Sequence, residues 1–138
     1  MFKKIIFGLS LWLFATTLSF GANFDDGVNA YEKGDYKTAL TIFEDLAKKG
    51  DIDAQYNLGL MYDNGYGVKQ DYKKAFEWYE KAANQGYSSA QFNIGDMYAN
   101  GQGVKQDKKI AKEWFGKACD SGLQIGCDEY KKLNQQGY

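Results

Sequence analysis

Two adjacent stretches decide the fold: DAQYNLGLMYDNGYGVKQDYKKAFEWYEKAANQGYS at 53–88 and SAQFNIGDMYANGQGVKQDKKIAKEWFGKACDSGLQ at 89–124. Aligned without gaps, they are identical at 20 of 36 positions. A repeat of this length indicates one supersecondary unit stacked on copies of itself, because a single unit cannot bury its own apolar face. A weaker and shorter copy precedes them at 24–50, and a truncated one follows from Ile125.

Each unit contains two helical patterns. Apolar residues recur at helical spacing, first at Ala54, Leu58, Met61 and Tyr62, and then at Ala75, Trp78, Tyr79 and Ala82. Asn64-Gly65 predicts a left-handed end to the first helix, and Asp71 predicts the N-cap of the second. Gly59 lies inside the first helix and recurs as Gly95, which predicts a close approach of the two helices. We therefore predict an all-α fold, a short right-handed α/α solenoid of helical hairpins.

The first residues have the layout of a secretory signal peptide. Lys3 and Lys4 precede an apolar run, and Ser19-Phe20-Gly21 places small residues at a cleavage site. The alternative is a membrane anchor, but the run Ile5–Leu18 would span about 21 Å of helix against about 30 Å of hydrocarbon. We predict cleavage near Gly21-Ala22, a secreted or periplasmic protein, and no membrane span after cleavage.

The composition of the mature chain excludes several classes of function. Without Lys3 and Lys4, 15 lysines face 18 carboxylates, which gives no reason to expect nucleic-acid binding. Histidine is absent, so the commonest zinc ligand and the usual general base at neutral pH are missing. We expect neither a metal nor a cofactor.

The two cysteines occupy neighbouring places in the repeat. Cys119 aligns with Ala83 near the end of a second helix, and Cys127 aligns with Gln91 near the start of the next first helix. An even count in an exported chain favours one disulfide between them. Two buried thiols, or a metal or redox pair, are the alternatives, although the spacing suits neither a zinc knuckle nor Cys-x-x-Cys.

The repeat resembles a known family through several of its motifs. They are Ala-Gln-Tyr-Asn-Leu-Gly-Leu-Met-Tyr at 54–62, Gly65-Tyr66-Gly67-Val68, Asp71, Ala75, Trp78-Tyr79 and Lys81-Ala82-Ala83. This pattern resembles the Sel-one-like repeat (SLR), a relative of the tetratricopeptide repeat (TPR) with a longer loop. After the predicted signal peptide at 1–21, the resemblance and the repeat predict the following division: degenerate TPR-like repeat 22–52, SLR repeats 53–88 and 89–124, and C-terminal capping helix 125–138.

The cysteine pair also resembles that of the secreted cysteine-rich SLR proteins. That family is described as penicillin-binding or as weak β-lactamases, so the resemblance implies a β-lactam hydrolase linked to antibiotic resistance. It also implies a β-lactam or a peptidoglycan-like small molecule as ligand. The chain departs from the family pattern because the central repeat has Ala83 and Gln91 where the family places a second cysteine pair.

The residues themselves carry no catalytic motif. The mature serines are Ser88, Ser89 and Ser121, and none has lysine three residues later, as a serine β-lactamase requires. The catalytic residues are therefore unknown, and enzymatic activity stays open. The carboxylates are typical of caps and solvated faces. We expect surface ion pairs between helix neighbours, Glu77 with Lys81 and Glu113 with Lys117.

The polar residues of the first helices are the candidate binding residues. In a solenoid these helices line the concave side, where partners usually bind. The candidates are Gln55, Tyr56, Asn57, Gln91, Phe92 and Asn93. The alternative is that they are ordinary solvated or inter-repeat positions, while Trp78 and Trp114 are expected in the core. We predict an exported scaffold that mediates protein–protein or peptide binding.

Overall fold

The computed structural model describes residues 21–138, which form seven helices and no strand. The helices are α1 (Phe24–Glu32), α2 (Tyr36–Lys48), α3 (Ile52–Asn64), α4 (Tyr72–Asn84), α5 (Ser88–Asn100), α6 (Lys108–Asp120) and α7 (Gln124–Gln135). Each helix packs mainly against the helices before and after it in the chain. The predicted all-α helical-repeat solenoid is confirmed. Residues 1–20, which hold nearly all of the predicted signal peptide, lie outside the described range.

Three hairpins and one further helix make up the solenoid. The first helices are α1, α3, α5 and α7, and the second helices are α2, α4 and α6. The loop of the first hairpin is short, as the sequence predicts, and the other two are longer. The final helix, α7, buries Gly126 and Leu133. No helix within residues 21–138 has both the length and the apolar character needed to cross a membrane.

The predicted helix ends are confirmed. Asp71 Oδ1 accepts from the Lys74 amide at 3.1 Å, and Asp107 Oδ1 accepts from the Ile110 amide at 3.0 Å. These bonds satisfy amide donors that have no partner within the helix. Gly65 ends α3 with φ of 72°, a left-handed conformation that favours glycine.

A glycine inside each first helix lets the two helices of a hairpin approach closely. A Cβ on Gly59 would lie 2.4 Å from Cδ1 of Tyr79, and one on Gly95 would lie 2.8 Å from Cδ1 of Phe115. Gly27 has the same relationship with Phe43, at 2.6 Å. The predicted close approach is confirmed, and it extends to the degenerate first hairpin.

The Gly-x-Gly-Val loop also joins successive hairpins. A Cβ on Gly67 would lie 2.6 Å from the carbonyl oxygen of Tyr36, at the start of the preceding second helix. Tyr66 stacks on the ring of Tyr36, with the centroids 4.9 Å apart. Gly103 meets the carbonyl oxygen of Tyr72 at the same distance of 2.6 Å. The loop is therefore an inter-repeat contact as well as a turn.

The core runs along the solenoid between the first and second helices. Its largest fully buried side chains are Phe43, Leu58, Met61, Tyr79 and Ile94. A smaller cluster of Ala111, Phe115 and Leu133 lies at the C-terminal end, where α7 packs on α6. The array of hairpins therefore buries apolar area that no single hairpin could.

Lysines cover the two tryptophans that pack against the edge of this core. Lys81 Nζ lies 4.0 Å from the ring centre of Trp78, and Lys117 Nζ lies 3.9 Å from that of Trp114. The expected ion pairs, Glu77–Lys81 and Glu113–Lys117, were wrong, since neither occurs among the ion pairs of residues 21–138. A half-buried indole three residues away attracts the ammonium group and also packs against the lysine stem.

Candidate functional site

The first helices α3 and α5 carry matching rows of side chains. The rows are Asn57, Leu60 and Asn64 on α3, and Asn93, Asp96 and Asn100 on α5. All six side chains are half-buried or exposed, and their spacing of three, four and seven places each row on one side of its helix. We call these six residues the first-helix face.

The structure places the two predicted glutamines inside the solenoid. Gln55 is 5% exposed and Gln91 is 6% exposed. Their Nε2 groups donate to the carbonyl oxygens of Ala47 and Ala83, each at 3.2 Å. Both bonds join a first helix to the second helix of the preceding hairpin, which is the inter-repeat position named above as the alternative.

The two predicted aromatic residues pack at the edge of the core. The ring centre of Tyr56 lies 4.8 Å from that of Tyr87 and 5.8 Å from that of Tyr79. Phe92 lies 5.2 Å from Phe115. Both rings are half-buried, so each contributes part of its area to packing and leaves part at the surface beside the first-helix face.

Three of the four asparagines of the first-helix face have their amide groups directed toward their own helix. Asn57 Nδ2 donates to the Asp53 carbonyl at 2.8 Å, Asn64 Nδ2 to the Leu60 carbonyl at 2.8 Å, and Asn100 Nδ2 to the Asp96 carbonyl at 3.0 Å. The sequence interpretation missed Asn64, Asp96 and Asn100 as site residues. The Asn64-Gly65 pair predicts only a helix end, but Asn64 and Asn100 lie seven residues after Asn57 and Asn93, a spacing that indicates the same side of the helix.

A buried tyrosine supports the face from beneath. Tyr79 is fully buried, and its hydroxyl donates to Asp63 Oδ2 at 3.1 Å. Burial, with the nearby Asp63 carboxylate, raises the pKa of Tyr79 far above its ordinary value, while a hydrogen bond with Asn93 opposes that shift. Tyr79 therefore stays protonated and holds Asp63 in place. In the next hairpin, Phe115 and Ala99 replace this pair.

A recess of about 300 Å³ continues the face toward the C-terminal end. Its lining includes Asp96 and Asn100 of α5, Phe115 of α6, and Glu129 and Lys132 of α7. Desolvation, with the carboxylates of Asp63 and Glu129, raises the pKa of Asp96, although a hydrogen bond from Asn100 opposes the shift. Lys132 pairs with Glu129 at 3.1 Å. The recess is polar and carries charges of both signs.

The predicted disulfide is present in the structure. Cys119 of α6 bonds to Cys127 of α7, with the Cα atoms 4.6 Å apart. It fastens the last helix to the last complete hairpin. No group of three or more cysteine, aspartate or glutamate side chains within residues 21–138 is arranged to hold a metal ion.

Comparison with known proteins places these repeats in a family. The Sel1 repeat family model matches residues 52–87 and 88–123, together more than half of the chain. No curated protein matches the chain. The solved structure of a Sel1 repeat protein from Oxalobacter formigenes is 31% identical, with a TM-score of 0.79, over 83% of this chain and 47% of that protein.

Two further structures extend the comparison. A protective antigen of uropathogenic Escherichia coli, which displays an SLR fold, is 32% identical with a TM-score of 0.77, over 82% of this chain and 25% of the antigen. Helicobacter pylori cysteine rich protein B aligns with a TM-score of 0.63 at 22% identity, over 78% of this chain and 97% of that protein, a likeness of fold alone. The chain thus spans about half and about a quarter of the first two relatives. With its helical hairpins, its Gly-x-Gly-Val loops and both complete repeats matched, the chain belongs to the Sel1 repeat family.

Proposed function

We propose that this chain is an exported scaffold that holds a protein or peptide partner on its first-helix face. Sel1 repeat proteins are scaffolds that bind protein partners. The observation that carries the proposal is the repetition of asparagine at four surface positions. Asn57 and Asn93 are one equivalent pair, and Asn64 and Asn100 are the other.

Contacts between helices do not explain asparagine at three of these positions, since the amide groups of Asn57, Asn64 and Asn100 bond to their own helices. Asn93 differs because it also bonds to the buried Tyr79. The buried core is formed by other positions of the same helices, although Leu60 of the face also packs against it, and asparagine is a poorer helix former than alanine by several tenths of a kcal/mol. A polar side chain repeated on the exposed side therefore supports recognition, since a partner laid across the hairpins would meet the same group twice.

Two observations support export. The leader of residues 1–21 has the layout of a signal peptide, and the Cys119–Cys127 disulfide suits an oxidising compartment. We propose the periplasm or the outside of the cell as the location. Mass spectrometry of the native protein tests it: a first residue near Ala22 is expected, and a mature chain that retains Lys3 and Lys4 would contradict it.

Site-specific photocrosslinking tests the binding face. A photoreactive amino acid is placed at Asn57 or Asn93 in the native organism, with the exposed Glu80 of α4 as the control position. We expect the same crosslinked partner from both asparagine positions and none from Glu80. A product as strong from Glu80, or no product from either asparagine position, would contradict the proposed face.

The implied β-lactamase activity rests on the resemblance alone. A nitrocefin assay on the purified mature chain separates the two functions, since scaffold binding predicts turnover equal to that of buffer. Turnover that is lost on replacing one defined side chain, such as Ser89, would overturn the scaffold as the whole function. Binding of a β-lactam or a peptidoglycan fragment without turnover would instead add a small-molecule ligand to the scaffold.

A further inference from the structure

We propose that the occupant of the first-helix face is a lysine- or arginine-rich segment of the partner, which lies across α3 and α5 and reaches the recess beside α7. The inference rests on the proposed function and names the chemistry of the partner. It stands on the separation of charge between the two helix sets and on the direction of the hydrogen bonds at the face.

Charge is divided between the two sets of helices. The first helices α1, α3 and α5 contain six carboxylates and no lysine. The second helices α2, α4 and α6 contain nine lysines and six carboxylates. The chain has no arginine, and its overall charge is close to neutral. The remaining first helix, α7, carries two carboxylates and two lysines. Helices α1, α3 and α5 are therefore acidic, whereas the second helices carry an excess of lysine over carboxylate, a difference that the net charge conceals.

The hydrogen bonds leave the face with acceptors and few donors. The amide groups of Asn57, Asn64 and Asn100 already donate to carbonyl oxygens of their own helices. Their Oδ1 atoms remain as acceptors, and Asn100 lies within 3.0 Å of the Asp96 carboxylate. An ammonium or guanidinium group has only hydrogen-bond donors, so it matches a surface of acceptors. The carboxylates of an acidic segment only accept hydrogen bonds, so they would find no donors at this surface.

The recess holds Asp96 together with Glu129, and Lys108 and Lys132 also line it. Asp96 interacts unfavourably with the carboxylates of Asp63 and Glu129, which lie on the two neighbouring first helices. Lys132 pairs with Glu129, and neither ion pair of the described chain involves Asp96. A cation seated beside Asp96 would relieve this repulsion, so the like charges on α3, α5 and α7 favour a basic ligand.

A second copy of the chain is the competing occupant, because its second helices offer lysines to the acidic face. The sequence gives one argument for a separate partner. The lysines of α4 and α6 alternate with exposed carboxylates such as Glu77, Glu80 and Glu113, so that face of a second copy is of mixed charge. A segment with closely spaced lysines would complement the first-helix face more completely.

Peptide binding to the mature chain tests the inference. The probe is a fluorescein-labelled peptide of alternating lysine and serine, with a peptide of alternating glutamate and serine as the control. We expect saturable binding of the lysine peptide, weakened by added salt, and no binding of the glutamate peptide. Equal binding of the two peptides, or no binding of the lysine peptide, would overturn the inference.

Three variants locate the binding. Asp96→Asn is expected to weaken the lysine peptide about two- to fivefold, the usual range for one surface ion pair. Leu60→Asp places the same carboxylate at the equivalent position of α3, so it should strengthen binding by a similar factor. Glu77→Gln removes one carboxylate from α4 and should leave binding unchanged. If it weakened binding as much as Asp96→Asn does, binding would depend on the net charge of the chain and not on the first-helix face, which would contradict the inference.

The remaining outcomes separate this inference from the proposed function. If a partner crosslinks at Asn57 and Asn93 but its binding changes with neither Asp96→Asn nor salt, the inference of a basic segment is overturned and the proposed scaffold function stands. The absence of any crosslinked partner at that face would contradict both. Light scattering that shows self-association of the chain, abolished by Asp96→Asn, would identify a second copy as the occupant and overturn the separate basic partner.

Discussion

Gln91 Nε2 donates to the carbonyl oxygen of Ala83 at 3.2 Å, and one repeat later the same two positions hold the disulfide between Cys127 and Cys119. The bond from Gln55 to Ala47 repeats the arrangement one hairpin earlier. Each link spans eight residues and joins a second helix to the next first helix. The solenoid therefore uses one place in the repeat to connect its hairpins, with a covalent link at the last junction.

This equivalence predicts that the double substitution Ala83→Cys and Gln91→Cys forms a second disulfide. The nine-residue loop is worth about 2.5 kcal/mol in the chain-entropy account, against about 1 kcal/mol for the lost hydrogen bond. The oxidised variant should therefore be about 1–2 kcal/mol more stable than oxidised wild type in urea unfolding. Two titratable thiols in the oxidised, unfolded variant would contradict the equivalence.

The oxygen of the same glutamine leads to a second prediction. Gln55 Oε1 accepts from Gln85 Nε2 at 2.7 Å, whereas the buried Gln91 Oε1 has no protein partner. The residue equivalent to Gln85 is Ser121, whose side chain is shorter. Ser121→Gln should supply the missing donor and raise the free energy of unfolding by about 0.5–1.5 kcal/mol.

The reciprocal substitution is its matched control. Gln85→Ser should leave Gln55 Oε1 without this donor and lower the free energy of unfolding by about 1–3 kcal/mol, the cost of an unsatisfied buried polar group. Chemical denaturation of both variants measures the pair. Equal and small effects of the two substitutions would mean that water satisfies these oxygens.

Much of the architecture could be predicted from the sequence because two copies of the repeat carry the same pattern of apolar, capping and glycine residues. The caps at Asp71 and Gly65 and the place of the cysteines follow from local chemistry and from alignment of the copies. The burial of Gln55 and Gln91 could not, because residue type favours the surface and only the neighbouring hairpin supplies the carbonyl that each one meets. The contact of Lys81 with Trp78 could not be predicted either, because helix spacing predicts the ion pair with Glu77 and does not show how far Trp78 is buried.

Two glycines in helices should respond in opposite ways to alanine. A Cβ at Gly59 would meet the ring of the fully buried Tyr79, so Gly59→Ala is expected to destabilise the chain by about 1–3 kcal/mol through overpacking. Gly116 lies in α6, where a Cβ would come no closer than 3.3 Å to the exposed Tyr130 ring. Gly116→Ala should therefore stabilise by up to about 1 kcal/mol through helix propensity.

Thermal unfolding with the two alanine variants side by side checks this prediction. Similar losses in both would indicate that backbone conformation, and not the distance to the tyrosine ring, decides the outcome. A further variant, Gly59→Ala with Tyr79→Leu, makes room for the added methyl group. In the Tyr79→Leu background, Gly59→Ala should lower the free energy of unfolding by less than it does in wild type. An equal loss in both backgrounds would contradict the close approach to Tyr79 as the cause.

Asp96 is expected to make stability depend on pH. Desolvation, with the carboxylates of Asp63 and Glu129, raises the pKa of Asp96 in the folded chain above its value in the unfolded chain. The folded state therefore holds the proton more tightly, and its stability falls as the pH rises through these two pKa values. Asp96→Asn removes that loss. The variant should be more stable than wild type at about pH 7, and its advantage should shrink toward about pH 3, where the carboxyl is protonated in both states.

Urea unfolding of both proteins across this pH range measures the difference, with Glu77→Gln on α4 as a matched loss of one carboxylate. An advantage of Asp96→Asn that stays constant with pH would mean that the amide packs better and that charge has no part in it. Together with the peptide titration, this result connects the stability of the chain with its binding. The same substitution should stabilise the free chain and weaken its hold on a basic segment. Asp96 would then be a position where the solenoid gives up stability for a surface that is complete only when a cationic partner is bound.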